Sequence, residues 1–236
     1  MVGVAIAFLF GLAYGSFLNV VILRFDDWKA IINKPSHCPN CQKPLAWYDL
    51  IPLISYAQLR GICRYCKQPI SWQYPAVELA TAVLVAAGYY LLFIVSNLAL
   101  WQSILGFSVL LLAIGAMVTI FVHDLTEMMV PELMSNLLLV SAVIYALVAH
   151  YDPLGLLYSA LAGFLPIMLL VIPSHGTWMG EGDIKIAGAL AILVGWPNAA
   201  TMMILTFLLG GLFGSVALAT RRVKMRTAVP FGPFLI

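Results

Sequence analysis

Gly180-Glu181-Gly182-Asp183-Ile184-Lys185 opens the short apolar run 184–195, and whether that run crosses a bilayer decides how the whole chain is laid out. It is the shortest of seven apolar runs and it contains glycines. The other six lie at 2–23, 76–95, 101–122, 133–149, 154–172 and 199–219. Each of these is at or somewhat below the ~20 residues that cross ~30 Å of hydrocarbon.

The composition agrees with a membrane chain. Of 236 residues, 63% are hydrophobic and 9% charged, with a mean hydropathy of +1.00, far from the ~25% charged residues of ordinary soluble domains. We therefore expect an all-α membrane protein, a polytopic helical bundle of about seven spans. Residues 2–23 have no basic start and no small-residue cleavage site after them, so they read as a retained first span and not as a signal peptide. The net charge of +2 gives no basis for a nucleic-acid partner.

The distribution of charge is more telling than its sum. Seven of the twelve Lys and Arg lie between Arg24 and Lys67, and four more between Arg221 and Arg226. Both segments face the cytoplasm by the positive-inside rule. With the N-terminus outside, alternation puts Arg24, Asp124, the loop Pro173–Gly182 and the Arg221–Arg226 cluster on that one face. The count holds only if 184–195 crosses; otherwise the last cluster falls outside, against the rule. Val229–Ile236 reads as the start of an eighth apolar helix that is cut short.

Three parts follow: a first transmembrane helix at 1–23, a cytoplasmic loop at 24–75 and a transmembrane bundle at 76–236. A loop of ~50 residues is too small to hold itself together by a hydrophobic core alone. Cys38-Pro39-Asn40-Cys41 and Cys63-Arg64-Tyr65-Cys66, separated by 21 residues, supply a staple and account for every cysteine in the chain. The spacing is close to that of a zinc ribbon, with four thiolates available to one tetrahedral ion. Two disulfides are the alternative and need an oxidising compartment, whereas the topology keeps this loop where thiols stay reduced. His37 is adjacent and reads as a bystander. No internal repeat is apparent. Gly11 with Gly15, and Gly210-Gly211 with Gly214, have the spacing of close helix contacts in lipid.

Two carboxylates stand at the ends of apolar runs. Asp124 follows the run 110–122 and Asp183 precedes 184–195. Either one alone reads as a helix cap: Asp124-Leu125-Thr126-Glu127 fits the Asp variant of a capping box, and Asp183 follows turn-relaxing glycines. Together, on one membrane face of a carboxylate-poor chain, they suggest an aspartyl pair sharing a proton, one polarising a carbonyl while the other takes a proton from water. Gly180 and Gly182 would let an extended peptide approach. Lys185 is read either as an anion or phosphate contact or as a lysine whose head reaches the surface. His123 is a weaker acid–base candidate.

These residues carry a family resemblance that covers nearly the whole chain. It rests on Gly15-Ser16-Phe17-Leu18-Asn19-Val20-Val21 with Arg24, the paired Cys knuckles with Gly61 between them, and Tyr74-Pro75 running to Glu78. To these are added Asp124 with Val130-Pro131, Gly180-Glu181-Gly182-Asp183 with Lys185, and Pro230-Phe231-Gly232-Pro233. The chain resembles the bacterial type IV prepilin peptidases. The resemblance implies a multi-pass inner-membrane enzyme that removes the basic leader of prepilins or pseudopilins after a Gly at the cytoplasmic face. It also implies N-methylation of the new N-terminus with S-adenosylmethionine. Asp124 and Asp183 then become the aspartyl pair supported by Gly180, Gly182 and Lys185, and Cys38, Cys41, Cys63 and Cys66 hold structural zinc. Asn19, Arg24 and Glu78 become candidate cofactor contacts, with anchoring of the loop as the equal alternative. Rival readings are another GxGD intramembrane protease, against which the Cys loop argues, and a transporter or assembly scaffold, which would set carboxylates nearer mid-membrane.

Overall fold

The computed structural model describes residues 1–149, 151–177, 179–220 and 230–236. The basic cluster Arg221–Arg226 lies outside these. Ten α-helices and no strand occur among the described residues. They fall into two compact units, Met1–Asn97 and Leu98–Ile236.

In the first unit, α1 (Val2–Leu23) packs along α4 (Gln73–Tyr90), which continues through a wider turn over Leu91–Val95. Small residues decide this pairing. A Cβ added at Gly11 would lie 2.6 Å from Ala82 Cα, and one at Gly15 would lie 2.7 Å from Glu78 Cα, so only glycine lets the backbones approach this closely. The loop between them carries α2 (Trp28–Asn33), a 3₁₀ turn at Trp47–Leu50 and α3 (Ile54–Gln58). Gly61 ends α3 in the left-handed region (φ +71°), where its amide returns to the Tyr56 carbonyl at 2.9 Å.

The second unit comprises α5 (Leu100–Glu127), α6 (Glu132–Val148), α7 (Pro153–Ser174), α8 (Glu181–Val194), α9 (Asn198–Ala219) and α10 (Gly232–Leu235). Helix α8 is its centre, touched by α6, α7, α9 and α10. Its sequence explains the position. Ala187, Gly188, Ala189, Leu190 and Ala191 are all buried, and their small side chains let neighbours close in from every side. The Phe164 ring of α7 fills the space that a side chain at Gly188 would need. Helix α9 instead leaves Leu208, Leu209 and Leu212 exposed, as a helix facing hydrocarbon does.

All seven apolar runs are helices, but not all are spans by length. Five are long and apolar enough to cross a membrane: Val2–Leu23, Gln73–Val95, Leu100–Glu127, Pro153–Ser174 and Asn198–Ala219. Helix α6 has 17 residues and α8 has 14. At 1.5 Å per residue α8 is about 21 Å long, short of a ~30 Å core. The small-residue expectation also divides. Gly11 and Gly15 are close contacts, whereas a Cβ at Gly211 or Gly214 would meet nothing within 4 Å among the described residues.

Candidate functional site

The two Cys knuckles fold alike, atom for atom along the backbone. Cys38 N–H donates to Lys43 O (3.0 Å) and Gln42 N–H to Cys38 O (2.9 Å); Cys63 N–H donates to Gln68 O (2.8 Å) and Lys67 N–H to Cys63 O (3.0 Å). Gln42 and Lys67 share a positive φ, 57° and 60°. Isolated bridges His37–Pro44 and Ile62–Pro69 close each turn. The sequence holds the matching signal, contrary to the expectation of no repeat. Cys38-Pro-Asn-Cys41-Gln-Lys-Pro44-Leu-Ala-Trp47 recurs as Cys63-Arg-Tyr-Cys66-Lys-Gln-Pro69-Ile-Ser-Trp72.

The repeat delivers four thiols to one point. All four Sγ atoms lie within 4.8 Å of one another, and Cys38 and Cys66 Sγ are 3.8 Å apart. Four ligands at ~2.3 Å around tetrahedral zinc stand ~3.8 Å from one another. A disulfide needs ~2.05 Å, and all four cysteines are free. The donor set therefore fits Zn²⁺. The Cys66 amide, with that of Tyr65, brings the Cys63 thiol down to about 7 against the opposing effect of burial, which favours the thiolate a metal requires. Asp49 holds the second knuckle from outside, accepting from Arg64 Nε (2.7 Å) and Tyr65 OH (3.1 Å); burial opposes its charge, but those donors hold its carboxyl below its usual range.

The polar residues proposed for a cofactor serve the loop. Asn19 Nδ2 donates to the carbonyls of Gly15 (3.3 Å) and Tyr74 (3.2 Å). Arg24 donates from Nη1 to Ala30 O (2.6 Å) and Lys34 O (2.7 Å), and from Nη2 to Pro35 O (3.0 Å). Glu78 Oε2 accepts the Leu53 amide at 2.9 Å, fixing a residue with φ +58°. Arg24 and Glu78 are thus struts between a helix and the loop, and Asn19 joins α1 to the first turn of α4.

In the second unit the two carboxylates come together. Asp124 and Asp183 are 5% and 7% exposed, and the charge of Asp124 is felt at Asp183. The local reasons differ from the sequence expectation. Asp124 is no cap: α5 runs on through it to Glu127, and Met128, left-handed at φ 53°, ends the helix with its amide on the Asp124 carbonyl (3.1 Å). Asp183 sits in the first turn of α8, where Oδ2 accepts the Gly180 amide at 3.2 Å and so reaches back to the helix start. Asp124 Oδ2 is buried without a hydrogen-bond partner among the described residues. His123 Nδ1 lies 2.9 Å from the Thr119 carbonyl.

The flanking residues also have defined contacts. A Cβ at Gly182 would lie 2.8 Å from Val130 Cβ, so this glycine admits the α5–α6 turn against α8, whereas a Cβ at Gly180 would make an ordinary contact with Asp183 Oδ2 at 3.7 Å. Lys185 Nζ reaches Glu132 Oε1 and Asn136 Oδ1, both at 3.1 Å, tying α8 to α6. With Glu132 80% exposed, the pair is worth about 0–1 kcal/mol. Gly182→Ala should destabilise the protein by about 1–3 kcal/mol through overpacking. Adding Val130→Ala should restore most of that in thermal melts; no restoration would place the clash elsewhere.

Residues 9–92 match the family described as Bacterial Peptidase A24 N-terminal domain, and residues 111–215 match the Type IV leader peptidase family. Relatives named prepilin leader peptidase/N-methyltransferase include that of Aeromonas salmonicida (strain A449), 31% identical over 98% of this chain and 87% of the relative. Those of Bacillus subtilis (strain 168) and Klebsiella pneumoniae are 32% and 35% identical, over 97% and 84% of this chain and 89% and 88% of theirs. No solved structure matches the chain.

Proposed function

Because the chain belongs to the type IV leader peptidase family, we propose that it cleaves the basic leader from prepilins or pseudopilins at the cytoplasmic face of the bacterial inner membrane, using Asp124 and Asp183. The observation that carries this reading is a pair of buried carboxylates from separate helices, each near a helix end, with the charge of Asp124 acting on Asp183. Two such groups share one proton and titrate as a unit. The protonated member donates a hydrogen bond to the scissile carbonyl while the ionised one takes a proton from water. The hydroxide so formed adds to the carbonyl carbon. The tetrahedral intermediate then collapses with proton transfer to the leaving amine, breaking the C–N bond and releasing leader and mature N-terminus. The placement at helix ends favours a peptidase over an ion pathway.

Gly180 and Lys185 support the pair differently. The Gly180 amide orients the Asp183 carboxylate; Lys185 holds α8 in register with α6. The seven basic residues between Arg24 and Lys67 favour a cytoplasmic loop, and its four thiols are proposed to hold structural zinc.

The second activity in the relatives' name needs a methyl donor, which we take to be S-adenosylmethionine; when bound, it supplies an electrophilic methyl group to the new amine. Arg24 and Glu78 are hydrogen-bonded to the loop and Asn19 to α4, and of the three Arg24 also lines a cleft open to a cofactor. We place the methyl donor in this cleft of about 430 Å³ lined by Arg24, Asp26, Asp27, Lys34 and His37, where Asp26 offers a carboxylate to a sulfonium cation while Asp27 already accepts the Ala30 amide and pairs with Lys34 at 3.6 Å.

The test is to incubate the protein in lipid vesicles with a precursor bearing a short basic leader, a Gly and an apolar N-terminal segment, with methyl-labelled donor. Cleavage after the Gly with one methyl added to the new N-terminus is expected. An intact precursor would overturn the reading, and cleavage without label would reduce it to a peptidase.

A further inference from the structure

The unpartnered oxygen of Asp124 faces a neighbour from the far end of the chain. Helix α10 is a single turn held on α9 by rings: Phe231 lies 5.8 Å from Phe207, and Phe234 lies 5.4 Å from Phe213, centroid to centroid. Leu235 is buried beneath it at 4% exposure. This anchorage brings Gly232 onto α5, where it too is buried. A Cβ added at Gly232 would stand 2.6 Å from Asp124 Oδ2 and 3.2 Å from its Cγ. The Gly232 N–H is the backbone donor that faces this carboxylate, although no partner among the described residues reaches full hydrogen-bond geometry at Oδ2.

Physical chemistry makes this contact matter. A buried carboxylate oxygen without a donor is costly, and its rotamer is fixed only by what surrounds it. At Asp124 the surroundings on that side are peptide backbone and not a side chain, because residue 232 has none. A backbone wall gives a fixed dipole and a fixed distance at no rotamer cost, whereas any Cβ would push either the carboxylate or α10 aside. No sequence-local feature requires glycine here, since Gly232 starts α10 without a positive φ.

We propose that Gly232 is a positioning residue for the reaction: the aromatic-anchored turn α10 sets the Asp124 carboxyl against Asp183, and a side chain at 232 would misplace it. The proposal rests on the assignment of Asp124 as a reacting group. Misplacement of a reacting group by about 1 Å costs on the order of 10²-fold. Gly232→Ala in the full chain, in vesicles, should therefore lower kcat for precursor cleavage by about 10- to 100-fold. KM should stay within about twofold and the thermal melt should be unchanged, because the contact orients a carboxyl and does not bind the leader.

Asp124→Asn is measured alongside. If it cleaves normally, the assignment of Asp124 falls and takes this inference with it. If it is inactive while Gly232→Ala retains wild-type kcat, only the role of Gly232 is refuted. Equal losses in melt and activity, or a rise in KM alone, would reduce Gly232 to packing and also refute it. Should Gly232→Ala fail to accumulate in membranes, Phe234→Ala decides, since it loosens α10 from α9 without adding an atom near Asp124. A kcat lowered at unchanged KM supports the proposal; wild-type kcat overturns it.

Discussion

Asp124→Asn and Asp183→Asn are each expected to lower precursor cleavage by about 10³-fold, within the range that acid–base groups contribute. The substitution keeps the shape of the side chain and removes its ability to exchange a proton. The two single variants should be nearly equal, and the double variant hardly worse, because in the proposed mechanism the carboxyls act as one proton-sharing unit. Structure predicts a small difference outside catalysis. Asp183 Oδ2 accepts the Gly180 amide at 3.2 Å, and an amide oxygen at that position can still accept it. Melting temperatures of both variants should therefore stay close to the parent's. Full activity in either variant would remove that residue from the mechanism.

The second large effect concerns the thiol lobe. Protein purified anaerobically should carry one equivalent of zinc, and less than about half an equivalent would count against the site. The comparison is with structural zinc sites whose apparent binding energies reach about 10–16 kcal/mol. Cys63→Ser should abolish the metal and open Arg24–Trp72 to limited proteolysis. The interior of this loop is otherwise slight: Trp47, Leu50, Ile54 and Trp72 are all exposed. The transmembrane helices should persist in the same variant, since the α1–α4 contact runs through Gly11, Gly15 and Ala82 and owes nothing to the thiols. Retained metal in Cys63→Ser would show that three thiols and a substitute ligand suffice.

Much of this layout is legible in the residues. Apolar runs give the helices because backbone polar groups in lipid must be satisfied within the segment, and Cys-x-x-Cys pairs give the lobe because a four-thiol ion needs that spacing. What escapes is tertiary. The Asp124-Leu125-Thr126-Glu127 segment reads as a cap, yet nothing in it breaks a helix, and α5 stops only at Met128 ahead of Pro131. Asn19, Arg24 and Glu78 look like polar residues waiting for a ligand, because their carbonyl and amide partners, in α4 for Asn19 and in the loop for the other two, have no sequence signature. The central place of α8 is hidden for a similar reason. A short Ala- and Gly-rich segment scores as a weak span, while its burial depends on four neighbours. The approach of Gly232 to Asp124 joins positions remote in the chain, and no periodicity announces it.

The recurrence of Cys38–Trp47 as Cys63–Trp72 has one more consequence. Each copy owns half of a coordination sphere and cannot close it alone; a free peptide of either kind would have to find a second molecule. Here both halves travel in one loop, so the encounter is intramolecular and proceeds at the ~mM effective concentration of a short tether, however scarce the protein is in its membrane. The lobe is in effect a two-fold dimer whose subunits have been spliced into a single chain.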